Sequence, residues 1–299
     1  LFLLAVLLKA PLVQVRIWTA ISHTIVRFGH NGVMALAMVP MIRSGCGLNF
    51  GLPLGIIGGI LGILISIELE LVGMAGFLTA LFLGLAFAAV LGWAYGILLN
   101  MVKGDEMMIA TYVGFSSVAF MCMAWLLLPF KSKAMVWGFG GTGLRTTISM
   151  DQYWTNILSD FLSFHFFGQI FPTGMILFFA FMCFLIWLFF RTRTGQAMSA
   201  VGQNQDFAKA SGINVDRMRT LSVMLSTMVG AVGIIVYAQS YGFVQLYLAP
   251  LYMAFPAVGA VLLGGASINS VHIVHVLVGA FLFQGILTMT PSVINSMLD

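Results

Sequence analysis

The sequence predicts an all-α polytopic membrane protein of about 8–10 transmembrane helices, the ends of which look truncated. Composition comes first: charged residues make up 7% of the 299 and hydrophobic residues 61%, whereas an ordinary soluble domain carries about 25% charged residues. The second observation is length. The apolar run 169–190 holds 22 residues, about 33 Å as a helix against a hydrocarbon core of about 30 Å. The third is placement: basic residues sit at the ends of apolar runs, where they set orientation. The net charge of +4 therefore points to the lipid bilayer and gives no reason to expect nucleic acid.

Taken in order, residues 1–13, broken by Lys9 and Pro11, are too short to span and lack the basic start and small-residue cleavage site of a signal peptide. They are expected to be the remnant of a first span. Residues 17–42 form a long apolar run interrupted by His23, Arg27, His30, Asn31 and Pro40, so this span should be irregular. Arg43-Ser44-Gly45-Cys46-Gly47-Leu48-Asn49-Phe50-Gly51 is a Gly-rich break between two apolar stretches. Non-helical backbone survives at membrane depth only where it is buried in protein or lines a watery cavity. The expectation is a discontinuous helix near 43–51 that lines a path; a plain surface loop is the alternative.

Gly51, Gly55 and Gly59, with Gly58 and Gly62 beside them, form one ladder of small residues, and Gly84, Ala88, Gly92 and Gly96 another. Such faces let helix backbones approach closely. Glu68 and Glu70 mark the turn between these spans, Lys103-Gly104-Asp105-Glu106 marks the next end, and 107–130 crosses again. Region 131–168 reads as an external loop with a short helix, its amphipathic piece 150–164, a Gly-rich stretch at 138–141, and Trp137, Tyr153 and Trp154 suited to the interface. The chain returns through 169–190, leaves again through 220–242, and adds apolar runs at 247–265 and 271–289, all within one domain, 1–299.

The long polar stretch, 191–219, carries five of the thirteen Lys and Arg against Asp206 and Asp216, which places it on the cytoplasmic side. Asn204 suits an N-cap, Asp206 the first turn, and Gly212 a helix stop, so one short helix is expected over 205–211. Its large apolar residue is Phe207, whose burial in a partner would stabilise a docked helix by roughly 2 kcal/mol.

The wording of this stretch resembles a family. Thr192-Arg193-Thr194-Gly195, Ala200-Val201-Gly202 with Asn204, Ala208 and Ala210, then Ser211-Gly212-Ile213-Asn214-Val215-Asp216-Arg217 are similar to the cytoplasmic coupling loop of permease subunits of ABC importers serving simple sugars, nucleosides and branched-chain amino acids. Gly47-Leu48-Asn49-Phe50-Gly51 looks like that family's break in a discontinuous helix, although simple-sugar members usually carry Asp where Asn49 stands. Leu262-Leu263-Gly264-Gly265-Ala266-Ser267 resembles its Gly-Gly-Thr-Ser-like turn. Members usually have one span more than this chain holds before Asp299. The resemblance implies that Asn204, Asp206, Phe207, Ala208, Lys209 and Gly212 couple to an ATPase subunit. It implies as partners a second permease, two ATPase subunits and an external solute-binding protein, in a bacterial cytoplasmic (inner) membrane. This chain would hold no cofactor, ATP and Mg being bound by the partner subunits.

No GxxxxGK[ST] phosphate loop occurs, so energy must come from a partner or an ion gradient. An ion-coupled secondary transporter would normally place Asp, Glu or His within its spans, whereas every acidic residue here fits near an end or in a loop. A membrane enzyme is a further alternative: His272 and His275 share a helix face, but no carboxylate or Cys lies near them in sequence. Cys46, Cys122 and Cys183 show no CxxC or Cys/His spacing and read as small buried hydrophobes. Candidate path-lining residues are Asn31, Asn49, Phe50, Ser116 and Gln239, polar or aromatic groups on apolar spans. For each the alternative is a packing hydrogen bond, which is the better account of Ser116. Such a path suits a neutral polar solute, a sugar or nucleoside, better than a charged one. A branched-chain amino acid is the alternative, its carboxylate held at helix N-termini near 45–49.

Overall fold

In the computed structural model, which describes residues 17–137, 143–161, 164–166, 169–268 and 270–298, the chain folds as α-helices with four three-residue strands. The expected remnant span at 1–13 and the Gly-rich stretch at 138–141 lie outside the described residues. Among the described residues six helices are long and apolar enough to cross a membrane, joined by two shorter apolar helices at Leu52–Glu68 and Ala249–Leu263. The protein is multi-pass.

The first span is irregular, as its sequence requires. Helix α1 (Ile17–Leu36) and helix α2 (Met38–Arg43) meet at Ala37, next to Leu36, whose carbonyl the Pro40 ring would crowd in a continuous helix. Residues 44–51 then run without helix to α3 (Leu52–Glu68), with Gly45 and Gly47 at φ +76° and +78°. The break is buried: Ser44, Cys46, Leu48 and Asn49 are at most 3% exposed. The discontinuous helix is thus present, and protein surrounds it.

Helix α3 sits between α4 (Gly73–Met101) and α10 (Val215–Tyr241), and glycine makes that possible. A Cβ at Gly55 would stand 2.3 Å from Thr227 O, and one at Gly59 2.7 Å from Ala231 O, both on α10. On the other side a Cβ at Gly58 would meet Ala88 N at 2.8 Å, and one at Gly62 would meet Gly84 N at 2.5 Å. The first small-residue ladder therefore serves two neighbours. The second, on α4, meets α10: Gly92 and Gly96 lie against Thr227 and Thr220, and Thr227 Oγ1 donates to Ala88 O at 3.1 Å. Where lipid offers no hydrophobic drive between helices, such close backbone contact is what holds them.

Helix α5 (Glu106–Leu127) packs on α3 and leaves most of its surface exposed. One end of the molecule then gathers strand β1 (Thr147–Ser149), the four-residue helix α6 (Ile157–Asp160), and the antiparallel pair β2 (Phe164–Phe166) and β3 (Gln169–Phe171). Glu68 accepts from the N–H groups of Lys131 and Ser132 at this same end, each at 3.1 Å. The amphipathic piece 150–164 is not one helix. Met150 N donates to Gly242 O and Asn156 N to Gln239 O, each at 2.8 Å, and Asn156 takes a left-handed φ of 54°. Those bonds to the end of α10 replace the ones a helix would make.

Helix α7 (Thr173–Arg191) runs to the opposite end, where α8 (Arg193–Gln203) and α9 (Gln205–Ala210) precede α10. Strand β4 (Phe243–Gln245) pairs with β1 in the register Thr147↔Gln245. Helices α11 (Ala249–Leu263) and α12 (Ile273–Leu298) close the bundle against α1.

Candidate functional site

Polar stretch 191–219 folds as two helices where one was expected. Three side chains cap successive starts: Thr192 Oγ1 accepts from Gly195 N at 3.2 Å, Asn204 Oδ1 from Phe207 N at 2.9 Å, and Asn214 Oδ1 from Arg217 N at 2.9 Å. Each satisfies an N–H that the first turn of a helix leaves free. Helix α9 ends in a Schellman motif: Gly212 N donates to Lys209 O at 3.0 Å and Ile213 N to Ala208 O at 2.9 Å. Gly212 holds φ +77°, a conformation that a side chain with a β-branch resists. The extra helix, α8, was signalled by Thr192 three residues before Gly195, a cap pattern that the run of Arg and Thr obscures.

The two faces of α9 differ. Ala208 is fully buried against Val201 and Val215, with Ile213 and Met218 beside them. Phe207 is 65% exposed, Asp206 and Lys209 face solvent, and the two charges lie 3.8 Å apart. An aromatic ring is thus presented outward on a helix whose back is fixed to the bundle. Arg219, counted by charge with the loop, is 1% exposed and bonded to Glu106 Oε1 at 2.5 Å, so it belongs to the bundle. Lys103 and Asn100 likewise bind Asp216, tying the end of α4 to the start of α10.

From α9 a short run of contacts leads to the break. A Cβ at Gly202 would lie 2.1 Å from Arg43 O and 3.0 Å from Gly45 N, so the last turn of α8 touches the broken backbone directly. Beyond it Ser44 Oγ and Ser222 Oγ lie 2.6 Å apart, Asn49 Nδ2 donates to Ser226 Oγ at 2.7 Å, and Ser226 Oγ donates to Ala37 O at 2.6 Å. Helix α10 presents a polar ribbon, Arg219, Ser222 and Ser226, to this break.

Asn49 and Phe50 line a narrow cleft with Pro53, Thr111, Phe115, Leu251, Ala254, Phe255 and Val258, with room for about one water molecule. Asn49 is fully buried and its Oδ1 has no hydrogen-bond partner. Phe255 lies 6.5 Å from Phe50 and 6.0 Å from Phe115, centroid to centroid. Of the five candidate path residues, these two alone come together. Gln239 sits at the far end of α10, its Oε1 accepting from Leu158 N at 3.2 Å. Asn31 donates to Arg27 O at 3.0 Å within its own helix. Ser116 is exposed on α5 and donates to Tyr112 O at 2.5 Å. Sequence reasoning missed Thr111, Phe115 and Phe255, because nothing in the chain order shows that α5 and α11 face the break.

His272 and His275 engage each other: His275 Nδ1 accepts from His272 N at 3.3 Å. No group of three or more His, Cys, Asp or Glu placed to hold a metal occurs among the described residues.

A family model described as "Branched-chain amino acid transport system / permease component" matches residues 20–297. The chain belongs to this permease family. No curated protein and no solved structure matches it. The permease match takes in the break, the cleft and the two helices of the polar stretch. Buried irregular backbone, backbone-close helices and an outward-facing helix at one end are thus features of a transport subunit.

Proposed function

We propose that this permease is the membrane-spanning subunit of an ATP-driven importer in a bacterial inner membrane, moving a small neutral polar solute, a simple sugar or nucleoside, inward by alternating access. Helix α9 is the coupling helix. The observation that carries this reading is the outward Phe207 on a helix capped at both ends and rooted by Ala208. Such a helix transmits a push, because its back cannot slide without disturbing α8 and α10. Two ATPase subunits, which bind ATP and Mg, would supply the push. A second permease and an external binding protein would complete the assembly.

Movement of α8 would reach the break through Gly202 and Gly45, and from there Asn49 and the cleft. In the present state the cleft is too narrow for a sugar, which suits an occluded step of the cycle. Its chemistry favours a neutral solute: one amide oxygen without a partner, a hydroxyl on Thr111 and three phenylalanine rings, with no charge among the lining residues. The start of α3 offers little to a carboxylate, since Leu52 N and Leu54 N donate to Asn49 O and Gly51 O and Pro53 has no N–H.

The family description favours a second reading, transport of branched-chain amino acids. Uptake of labelled ribose, a nucleoside and leucine into vesicles holding the full complex decides between them. Ribose or nucleoside uptake that stops when ATP is withheld is expected. Transport of leucine alone would sink the neutral-solute reading.

A further inference from the structure

A second cavity, lined by basic side chains and no carboxylate, lies at the same end of the molecule as the coupling helix. Val39 and Arg43 of α2, Trp187, Phe190 and Arg191 of α7, Gln196 of α8, and His272, Ile273 and Val274 at the start of α12 line it. Its volume is about 400 Å³, within the range of about 300–1,000 Å³ usual for small-molecule sites. Both guanidinium groups are held by rings: Arg43 Cζ lies 4.6 Å from the Phe190 centroid, and Arg191 Cζ 4.9 Å from that of Trp187. An aromatic face orients a cation without neutralising it.

No carboxylate lines the cavity, and among the described residues neither Arg43 nor Arg191 makes a salt bridge. Gln196 Nε2 donates to Phe190 O at 2.9 Å, and the imidazole of His272 adds a further polar group to the wall. Two positive charges therefore line one cavity with no carboxylate among its lining residues, and four helices contribute to the site. Its surroundings are apolar: Trp187, Leu188 and Val274 are 46%, 46% and 61% exposed, on helices long and apolar enough to cross a membrane. An anion seated there would have hydrocarbon beside it.

We propose that this cavity binds the phosphate headgroup of an anionic phospholipid from the leaflet on the coupling-helix side. The guanidinium forks of Arg43 and Arg191 hold the phosphate oxygens. Trp187 lies at the level of the headgroups, and the acyl chains run along Leu188 and Val274. The bound lipid bridges α2, which precedes the break, to the end of α7, which leads into the coupling stretch, so on the proposed function it ties the break to the part that receives the push.

The test is native mass spectrometry of the full-length permease released from nanodiscs of equal phosphatidylglycerol and phosphatidylcholine. The wild type should retain phosphatidylglycerol in preference, and Arg43→Gln/Arg191→Gln should lower that retention about thirtyfold. Lys131→Gln/Lys133→Gln, which removes the same charge at the opposite end, should leave it unchanged. Equal loss in both doubles would show a net-charge effect and overturn the site. Release of the lipid by millimolar glycerol phosphate or inorganic phosphate would assign the cavity to a soluble anion and overturn the lipid. If the double variant misfolds, Arg191→Gln alone serves, since Arg191 is exposed at a helix end. Undiminished retention in that variant would overturn the proposal as well.

Discussion

Phe207 and Ala208 are neighbours in the chain with opposite surroundings, and the contrast defines what a single substitution tests. Phe207 is 65% exposed and Ala208 is fully buried. Phe207→Ala should therefore leave the thermal stability of the isolated permease unchanged while weakening its assembly with the ATPase subunits by roughly 2 kcal/mol, about thirtyfold. Co-purification and transport-stimulated ATPase activity measure it. A Phe207→Ala protein with full assembly and full stimulation would remove this residue from the coupling role. Residue-scale legibility follows the same division. The caps at Asn204 and Gly212 could be read in the sequence because an N-cap and a left-handed stop act within a few residues. The burial of Arg219 could not, because Glu106 lies 113 residues away in the chain and its approach depends on how α5 packs.

At the scale of the element, the end of α9 is fixed by backbone geometry more than by composition. Gly212 sits at φ +77° with no atom near where its Cβ would be, so substitution there meets strain and no clash. Gly212→Val should add about 1–2 kcal/mol of local strain, whereas Gly212→Asn, which tolerates the left-handed region, should add less. Limited tryptic cleavage after Lys209 reads the difference: the valine variant is cut faster, the asparagine variant close to the wild-type rate. Equal rates for all three would mean that the Schellman closure does not hold the helix. The segment 150–161 illustrates the opposite case. Its polar and apolar residues suggest a helix, yet Met150 and Asn156 spend their N–H groups on carbonyls near the end of α10, and only Ile157–Asp160 is helical. A local pattern lost to tertiary hydrogen bonds, which no window of sequence contains. The glycine ladders were legible for a different reason, since small residues at i, i+4 spacing serve only close packing, although which helix each would meet was not.

For the whole molecule the polar segments divide between two ends. Glu68, Lys131 and the β1–β4 pair lie at one, Lys103, Glu106 and residues 191–219 at the other. On the proposed orientation, in which the basic residues put the second end in the cytoplasm, a protein in which Cys46, Cys122 and Cys183 are replaced should react with an impermeant thiol reagent from outside at Lys133→Cys. Lys209→Cys should react only after permeabilisation. The reverse pattern would invert the topology and remove the docking of an external binding protein. The helices and the buried break could be read from the chain, whereas the cleft could not, since Phe50 of the break meets Phe115 and Phe255 from two separate helices, a meeting that only the packed bundle determines. The bond from Asn49 to Ser226 also sets a clock. These residues stand 177 positions apart, and synthesis at about 5–20 residues per second separates their emergence by roughly 10–35 s. For that interval the broken segment has a polar amide and no α10 to receive it, so the nascent permease must shelter the break at the translocation machinery or leave it wet until its later half arrives.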